Sequence, residues 1–272
     1  MILSKASFAK DRPKEWASIQ ELGNSIDESQ MQMLNAKAEI DKESFSSIAS
    51  SYLDRSSKVD SSFSSGVRGL IKNTKEHLFL VIVSLGIAII VGVPLGIFAD
   101  RHRLFGQLIM IVVGLFQTIP SLALLCFLIP LFGIGTLPAL IALFLYALLP
   151  IVLSTYEALR SVSQSYRDSA KTLGLTFMRR LYLIYLPMTS SQILMGIKTS
   201  TIICIGTATL AALIGAGGYG VPIVTGLALN DSKLVLMGAI PAAAMALMTH
   251  LIFEAIKLIL VPKGMRLRKT NV

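Results

Sequence analysis

Five long apolar stretches follow a polar N-terminal region in this chain. A helix needs about 20 mostly apolar residues to cross the roughly 30 Å of hydrocarbon in a bilayer. A polar interruption in the second stretch ends at Pro120-Ser121, so we expect one tilted or kinked helix there, or a helix that breaks at Pro120. The pattern predicts an all-α membrane protein with about five transmembrane helices, at residues 77–99, 105–132, 139–159, 192–214 and 234–260.

The segments between and after these stretches alternate in charge. Those at residues 133–138 and 215–233 carry few charges, whereas those at 100–103, 160–180 and 263–269 are basic. Lys and Arg are enriched in cytoplasmic loops. The alternation therefore predicts a multi-pass protein whose C-terminus is cytoplasmic and whose N-terminal region is outside.

The net charge of +9 comes from the apolar part of the chain. Residues 77–272 contain fourteen Lys and Arg against five Asp and Glu, while residues 1–76 contain eleven of each. Nucleic-acid binding is another explanation of a basic chain, but these charges cap hydrophobic spans. Cys126 and Cys204 lie within apolar stretches and the three histidines are far apart, so we expect no metal, cofactor or nucleic acid to bind and no catalysis by this chain.

Residues 1–65 form a polar tail that lacks the continuous apolar core of a secretory signal. A capping-box pattern at 25–28 precedes a short predicted helix, and a second helix is predicted over Phe45–Leu53. The serine-rich segment 56–66 is typical of a flexible linker. With so few large apolar side chains, the tail cannot form a stable core alone.

Two features within the apolar region have competing interpretations. Gly215–Gly220 matches a dinucleotide-binding string, but it lacks the flanking strand and helix of that site, so a close-packed re-entrant turn is favoured. Lys198 lies about two turns into the fourth stretch, where a charge is costly and often functional. Extension of its side chain to the membrane surface is favoured instead, as for Glu157, Glu254 and Lys257.

Residues 160–187 are the longest polar interruption of the apolar region. They predict a short amphipathic helix over Tyr166–Leu173, a turn at Gly174, a second helical piece over Phe177–Tyr185 and a new span from Pro187. A short helix at the membrane surface could dock into a groove of another protein. Its basic residues could equally bind lipid headgroups, and the residues alone leave both possibilities open.

The spacing of this loop resembles the EAA loop of ABC importer permeases. The residues that carry the resemblance are Asp168, Ser169, Ala170, Gly174, Ile184, Leu186 and Pro187. The family form opens with Glu-Ala-Ala; here Asp168 keeps the charge and Ser169 keeps the small size. In that family the loop is the coupling helix that seats in a cytoplasmic ATPase, so the resemblance implies that these residues form an ATPase-coupling site.

Four further stretches resemble the permeases of osmoprotectant importers, which take up glycine betaine, choline, carnitine or proline betaine. The likeness covers about residues 70–265 and is carried by residues 117–125, 129–135, 142–150 and 205–218. Where those permeases often have Arg-Asn-Thr-Tyr after a proline, this chain has Leu153-Ser-Thr-Tyr156. The pore or packing candidates within these stretches are Gln117, Pro120, Ser121, Tyr146, Gly206, Thr207, Gly217 and Gly218.

The resemblance implies the type I ABC importer permease fold in a bacterial cytoplasmic membrane. The implied parts are an outer tail (1–65), a transmembrane domain (66–265), the coupling loop within it (160–187) and a basic C-terminus (266–272). Over a short stretch the tail is similar to the C-terminal end of a substrate-binding protein, so the resemblance implies a remnant of a fused binding domain. The implied partners are ABC ATPase subunits that use ATP and Mg²⁺, a substrate-binding protein, a second permease subunit that is identical or paralogous, and membrane lipid.

The alternative is a secondary transporter or channel that works alone on a small solute. Such a protein would be expected to have buried ionisable residues or internal repeats near the membrane midplane. Neither is evident in the sequence.

Overall fold

The computed structural model describes residues 12, 13, 16, 26, 28–39, 45–52 and 63–261. The chain divides into two compact units, Met1–Gly66 and Val67–Val272. Helices α1 (Glu28–Glu39) and α2 (Phe45–Tyr52) lie in the first unit and confirm the two short helices expected in the tail. Ser25 of the capping box and most of the serine-rich segment lie outside the described residues.

The rest of the described chain is helical. Its helices are α3 (Phe63–Arg101), α4 (Arg103–Thr118), α5 (Ser121–Phe132), α6 (Thr136–Arg160), α7 (Gln164–Thr172), α8 (Phe177–Arg180), α9 (Leu186–Ala208), α10 (Gly220–Ala228) and α11 (Ser232–Leu260). A π turn at Leu181–Tyr185 precedes α9, and a 3-10 turn at Leu210–Ile214 follows it.

The helices run between two ends of the second unit. At one end, which we call the Lys75 end, Lys75 of α3, Thr136 at the start of α6 and Gly217 line a common cleft. At the other, the Asp100 end, Asp100 of α3 and Arg160 of α6 line a second cleft. Both α3 and α6 therefore run from the Lys75 end to the Asp100 end, and the chain between them must return.

Helices α4 and α5 make this return as a broken pair that bends by 99°. Because α4 begins beside the Asp100 end and α5 ends just before Thr136, the pair crosses the unit once. At the break, the Tyr146 hydroxyl of α6 donates to the Ile119 carbonyl, and Gln117 Nε2 donates to the Tyr146 carbonyl at 3.2 Å. The expected break at Pro120 is confirmed, and a single tilted or kinked helix is excluded.

Helix α9 packs closely on the central helix α6. Its contact stripe consists of small residues at intervals of four, Gly196, Ser200 and Cys204. A Cβ on Gly196 would lie 2.4 Å from Ser154 Cβ, and the Ser200 hydroxyl donates to the Ala147 carbonyl at 2.7 Å. Small residues of this kind let membrane helices approach one another closely.

Helix α3 packs on another face of α6, again through small residues that allow a close approach. A Cβ on Gly92 would lie 2.9 Å from Ile151 Cγ2, and one on Gly96 would lie 2.6 Å from Thr155 Cβ. The two contacts advance along both helices in the same direction, as expected for parallel helices. α3, α6 and α9 thus form one closely packed group.

The hydrophobic pattern predicts about five crossings, and three or four are present by length and composition in the described residues. By length and composition, α3, α6 and α11 can each cross a membrane, and the α4–α5 pair is a fourth crossing if it counts as one span. α9 is more polar, but its 23 residues extend about 34 Å between the same two ends. The sequence did not predict α10, which lies within the weakly charged segment 215–233.

Candidate functional site

The loop at the Asp100 end turns sharply at Gly174. Gly174 has a φ of +69°, a left-handed conformation that costs glycine little. Its N–H donates to the Lys171 carbonyl at 2.9 Å, and the Leu175 N–H donates to the Ala170 carbonyl at 3.3 Å. These two bonds form a Schellman motif that ends α7. The expected order of helix, glycine turn and second helix is confirmed.

The second helical piece continues into the membrane-crossing helix without a break. α8, the π turn and α9 form one helix from Phe177 to Ala208. Within the π turn the Leu186 N–H donates to the Leu181 carbonyl, five residues earlier. This wider turn comes just before Pro187, which has no N–H and would clash with a carbonyl four residues earlier in a regular helix. Pro187 therefore lies inside a continuous helix and does not start a separate one.

Several of the motif residues lie beneath the loop and determine its shape. Ala170 is 1% exposed and faces the interior from α7. Ile184 and Leu186 are partly buried against a small apolar cluster that includes Leu159 and Tyr185. These three motif residues support the loop from below, so its outer face is formed mainly by other positions.

Asp168 and Ser169 are the motif residues that remain exposed on α7. The Asp168 carboxylate accepts hydrogen bonds from Gln164 Nε2 at 2.8 Å and from Lys171 Nζ at 3.3 Å. Exposed pairs of this kind contribute little to stability. A partner could therefore bind the Asp168 side chain in place of these contacts with little loss of stability of the loop.

From the start of α7 to the end of α8, three large apolar side chains of the loop are exposed. Tyr166, Leu173 and Met178 are all exposed, and Leu173 is 73% exposed. We call these three residues the docking face. Large apolar residues exposed together often mark a surface that binds another protein. The sequence prediction missed them, although apolar residues in a polar loop that are not needed for its packing would have been the signal.

Beneath the docking face, Arg167 joins several parts of the Asp100 end. Its Nη2 donates to the Leu159 carbonyl at 2.5 Å and its Nε to the Val162 carbonyl at 3.3 Å. The same Nη2 lies 3.7 Å from Asp100 Oδ1, and the guanidinium carbon lies 5.2 Å from the centre of the Tyr185 ring. Sequence reasoning treated Arg167 only as one of several basic loop residues.

Four of the pore candidates lie at the α4–α5 break. Gln117 and Tyr146 are brought together there, since each contributes one of the two hydrogen bonds described above. Pro120 separates the two helices, and Ser121 is the first residue of α5. The group supports an internal bend midway between the two ends.

The other four candidates lie towards the Lys75 end. Gly217 and Gly218 have φ values of +83° and +80°, and the Gly218 N–H donates to Glu76 Oε2 at 2.9 Å. A Cβ on Gly217 would lie 2.3 Å from that carboxylate oxygen, which confirms the expected close-packed turn. Gly206 and Thr207 lie on α9, and Gly206 has open space around it.

His77 fastens α3 to the same end of the bundle, a contact that the sequence did not predict. The side chain is fully buried, and its Nε2 lies 3.1 Å from the Ile205 carbonyl of α9. Its ring packs at 4.9 Å from the Tyr219 ring, whose hydroxyl lies 2.8 Å from Thr74 Oγ1. Together with Glu76, these contacts hold the start of the crossing part of α3 against the glycine turn.

Lys198 pairs with a neighbouring helix. Its Nζ lies 3.6 Å from Glu254 Oε1 of α11. Extension of both side chains towards the membrane surface stays a prediction, and the structure adds an ion pair between α9 and α11 in which the Glu254 side chain is 54% exposed.

Comparison with known proteins gives a consistent result. A profile of the family described as "Binding-protein-dependent transport system inner membrane component" matches residues 92–264. Osmoprotectant import permease protein OsmW of Salmonella typhimurium is 39% identical over 198 residues, which cover 71% of this chain and 92% of that protein. Choline transport system permease protein OpuBB of Bacillus subtilis is 38% identical over 197 residues, covering 72% and 91%. Carnitine transport permease protein OpuCB of Listeria monocytogenes is 39% identical over 204 residues, covering 75% and 94%.

The fold is also similar to a solved structure, described as "Inward facing conformations of the MetNI methionine ABC transporter". The TM-score is 0.65 at 18% sequence identity, and the match covers 72% of this chain and 96% of the other. This similarity is one of fold alone. It confirms the type I ABC importer permease fold.

Proposed function

The chain belongs to the family of binding-protein-dependent transport system inner membrane components, and we propose that it is the membrane subunit of an ATP-driven importer of small osmoprotectants such as glycine betaine, choline or carnitine. The substrate class rests on the relatives at 38–39% identity, whose names specify osmoprotectant, choline and carnitine transport. The structural observation that carries the proposal is the loop at the Asp100 end, an apolar docking face on a firmly packed base.

The charge distribution supports a cytoplasmic position for the Asp100 end. Arg101, Arg160, Lys171 and Arg179 lie there, whereas the 133–135 turn at the opposite end has no charged residue. Basic residues near membrane helices favour the cytoplasmic side. Lys75 lies opposite but next to a long tail, which has little weight in this rule. The N-terminus is then outside the bacterial cytoplasmic membrane, and the C-terminus is inside.

This orientation places the docking face where a cytoplasmic ATPase subunit can bind it. The ATPase would supply ATP and Mg²⁺ binding and hydrolysis, and this chain would supply half of a pore completed by an identical or paralogous permease. A substrate-binding protein would deliver solute at the Lys75 end. Closure of the ATPase pair would move the two loops and switch the pore between inward-facing and outward-facing states.

Substitution in the docking face tests ATPase binding directly. Leu173→Gln should lower the amount of ATPase that co-purifies with the permease by about tenfold, because burial of a leucine side chain is worth roughly 1.5–3 kcal/mol. The matched control is Ile134→Gln, since Ile134 is 78% exposed and lies in the turn at the other end. This variant should retain ATPase binding, and undiminished binding by Leu173→Gln would contradict the docking assignment.

Uptake by reconstituted vesicles separates the importer from a transporter that works alone. Vesicles with the permease should accumulate labelled glycine betaine, choline or carnitine only when the ATPase, internal Mg²⁺-ATP and the external binding protein are all present. The Lys198–Glu254 ion pair between α9 and α11 is the feature that would suit a secondary transporter. Uptake that persists without the ATPase would favour that alternative.

A further inference from the structure

The last turn of α3 meets the loop at two points on either side of the Gly174 turn. Asp100 lies beside Arg167 of α7 at 3.7 Å, and the guanidinium carbon of Arg101 lies 4.4 Å from the centre of the Phe177 ring of α8. Both halves of the loop are therefore attached to the same helix end.

The positive charge of Arg167 is favourable at the C-terminal ends of α3 and α6, which it contacts. Asp100 is a carboxylate near the C-terminus of α3, where the helix dipole is unfavourable for a negative charge. Its side chain is only 12% exposed and that of Arg167 is 24% exposed, so water screens the pair less than it would a surface pair. Arg167 also donates to the Leu159 carbonyl in the last turn of α6 and to the Val162 carbonyl just beyond it, which provides partners at that helix end.

An arginine is required for this combination of contacts. The planar guanidinium carries several donors in a fixed arrangement, so Nε and Nη2 can reach two carbonyls while the group also faces a carboxylate and an aromatic ring. A lysine at position 167 has one nitrogen and could keep the charge next to Asp100 without keeping every contact. Substitution at position 167 can therefore separate the effect of the charge from the effect of the hydrogen bonds.

We propose that Arg167 is the positioning residue that makes the coupling loop and α3 move together, so that motion of a bound ATPase reaches the pore through α3 and α6. The proposal rests on the proposed function of the loop. α3 can carry this motion because Gly92 and Gly96 pack it tightly on α6. Arg167 lies beneath the docking face and need not touch the ATPase.

The test measures solute taken up per ATP hydrolysed by the complete transporter in vesicles. Arg167→Met should bind the ATPase normally but lower this ratio by about tenfold, within the usual range of coupling between sites. Arg167→Lys should recover part of the loss because it keeps the charge. The control is Arg179→Met, which removes an exposed arginine from the same loop and should leave the ratio unchanged.

Asp100→Asn provides a second, milder test that keeps the size of the side chain. It should lower the ratio less than Arg167→Met does, with the same thermal stability as the unmodified protein. A normal ratio in both Asp100→Asn and Arg167→Met would overturn the proposal. Loss of ATPase binding in Arg167→Met would also overturn it, because Arg167 would then belong to the docking surface that Leu173→Gln tests separately.

Discussion

Gly196 provides a quantitative test of the contact between α9 and α6. A Cβ there would lie 2.4 Å from Ser154 Cβ and 2.6 Å from the Pro150 carbonyl oxygen, whereas ordinary contacts of a Cβ begin at 3.4 Å. The carbonyl is part of the backbone and cannot rotate away as a side chain can. Gly196→Ala would therefore require the two helices to move apart by about 1 Å at this point.

The expected energies have opposite signs. Overpacking of a well-packed interior costs roughly 1–3 kcal/mol, while replacing a glycine by alanine within a helix gains about 1 kcal/mol in helix propensity. Gly206 lies on the same helix with open space around it, so Gly206→Ala should show only the gain. The difference in unfolding free energy between the two variants is then the overpacking cost itself, about 1–3 kcal/mol.

The two variants are compared by reversible unfolding of the purified protein in mixed micelles, with a denaturing detergent as the perturbant. Gly196→Ala should unfold at a lower fraction of denaturing detergent than Gly206→Ala. Equal stability of the two alanine variants would refute the close approach of α9 to α6 at Gly196, and with it the small-residue stripe as the basis of that contact.

Two further substitutions test other contacts of the helix ends. Tyr146→Phe removes the hydroxyl that donates to the Ile119 carbonyl. It should lower the unfolding free energy by roughly 1–3 kcal/mol, because a carbonyl at the helix break loses its donor. Unchanged stability in the same assay would show that the bend does not need this bond. Asp231→Ala removes the carboxylate that accepts from the Lys233 and Leu234 N–H groups at 2.9 and 3.2 Å, and it should cost about 1 kcal/mol and speed hydrogen exchange at the start of α11. Asp231→Asn should restore most of the protection, and equal exchange in all three proteins would exclude a capping role.

The long apolar helices and the turn at Gly174 could be predicted from the sequence for simple reasons. Within a membrane every backbone polar group must be satisfied, so a long apolar stretch has few alternatives to a helix. The turn was predictable because glycine adopts the left-handed conformation readily, and Gly174 follows a short amphipathic segment. Both signals are local and do not depend on distant partners.

The bend and the Arg167 contacts depend on residues that are distant in the sequence, so they were harder to predict from it. Pro120 indicated a possible break, but the 99° angle is supported by Tyr146 and Gln117, which belong to different helices. Similarly, Asp100 and Arg167 were visible as separate loop charges. Their pairing follows from the parallel packing of α3 on α6, which brings the ends of two helices together and cannot be read from either segment.

The π turn at Leu181–Tyr185 determines the angular relation between the loop and the membrane helix that follows it. A regular helix rotates by about 100° per residue, and a π turn contains one residue more than a regular turn. Met178, before the turn, and Gly196, after it, are therefore set apart by an angle that this extra residue fixes. Loss of one residue within the turn would rotate Met178 by about 100° relative to Gly196, whereas Tyr166 and Leu173 would stay attached to α6 through α7.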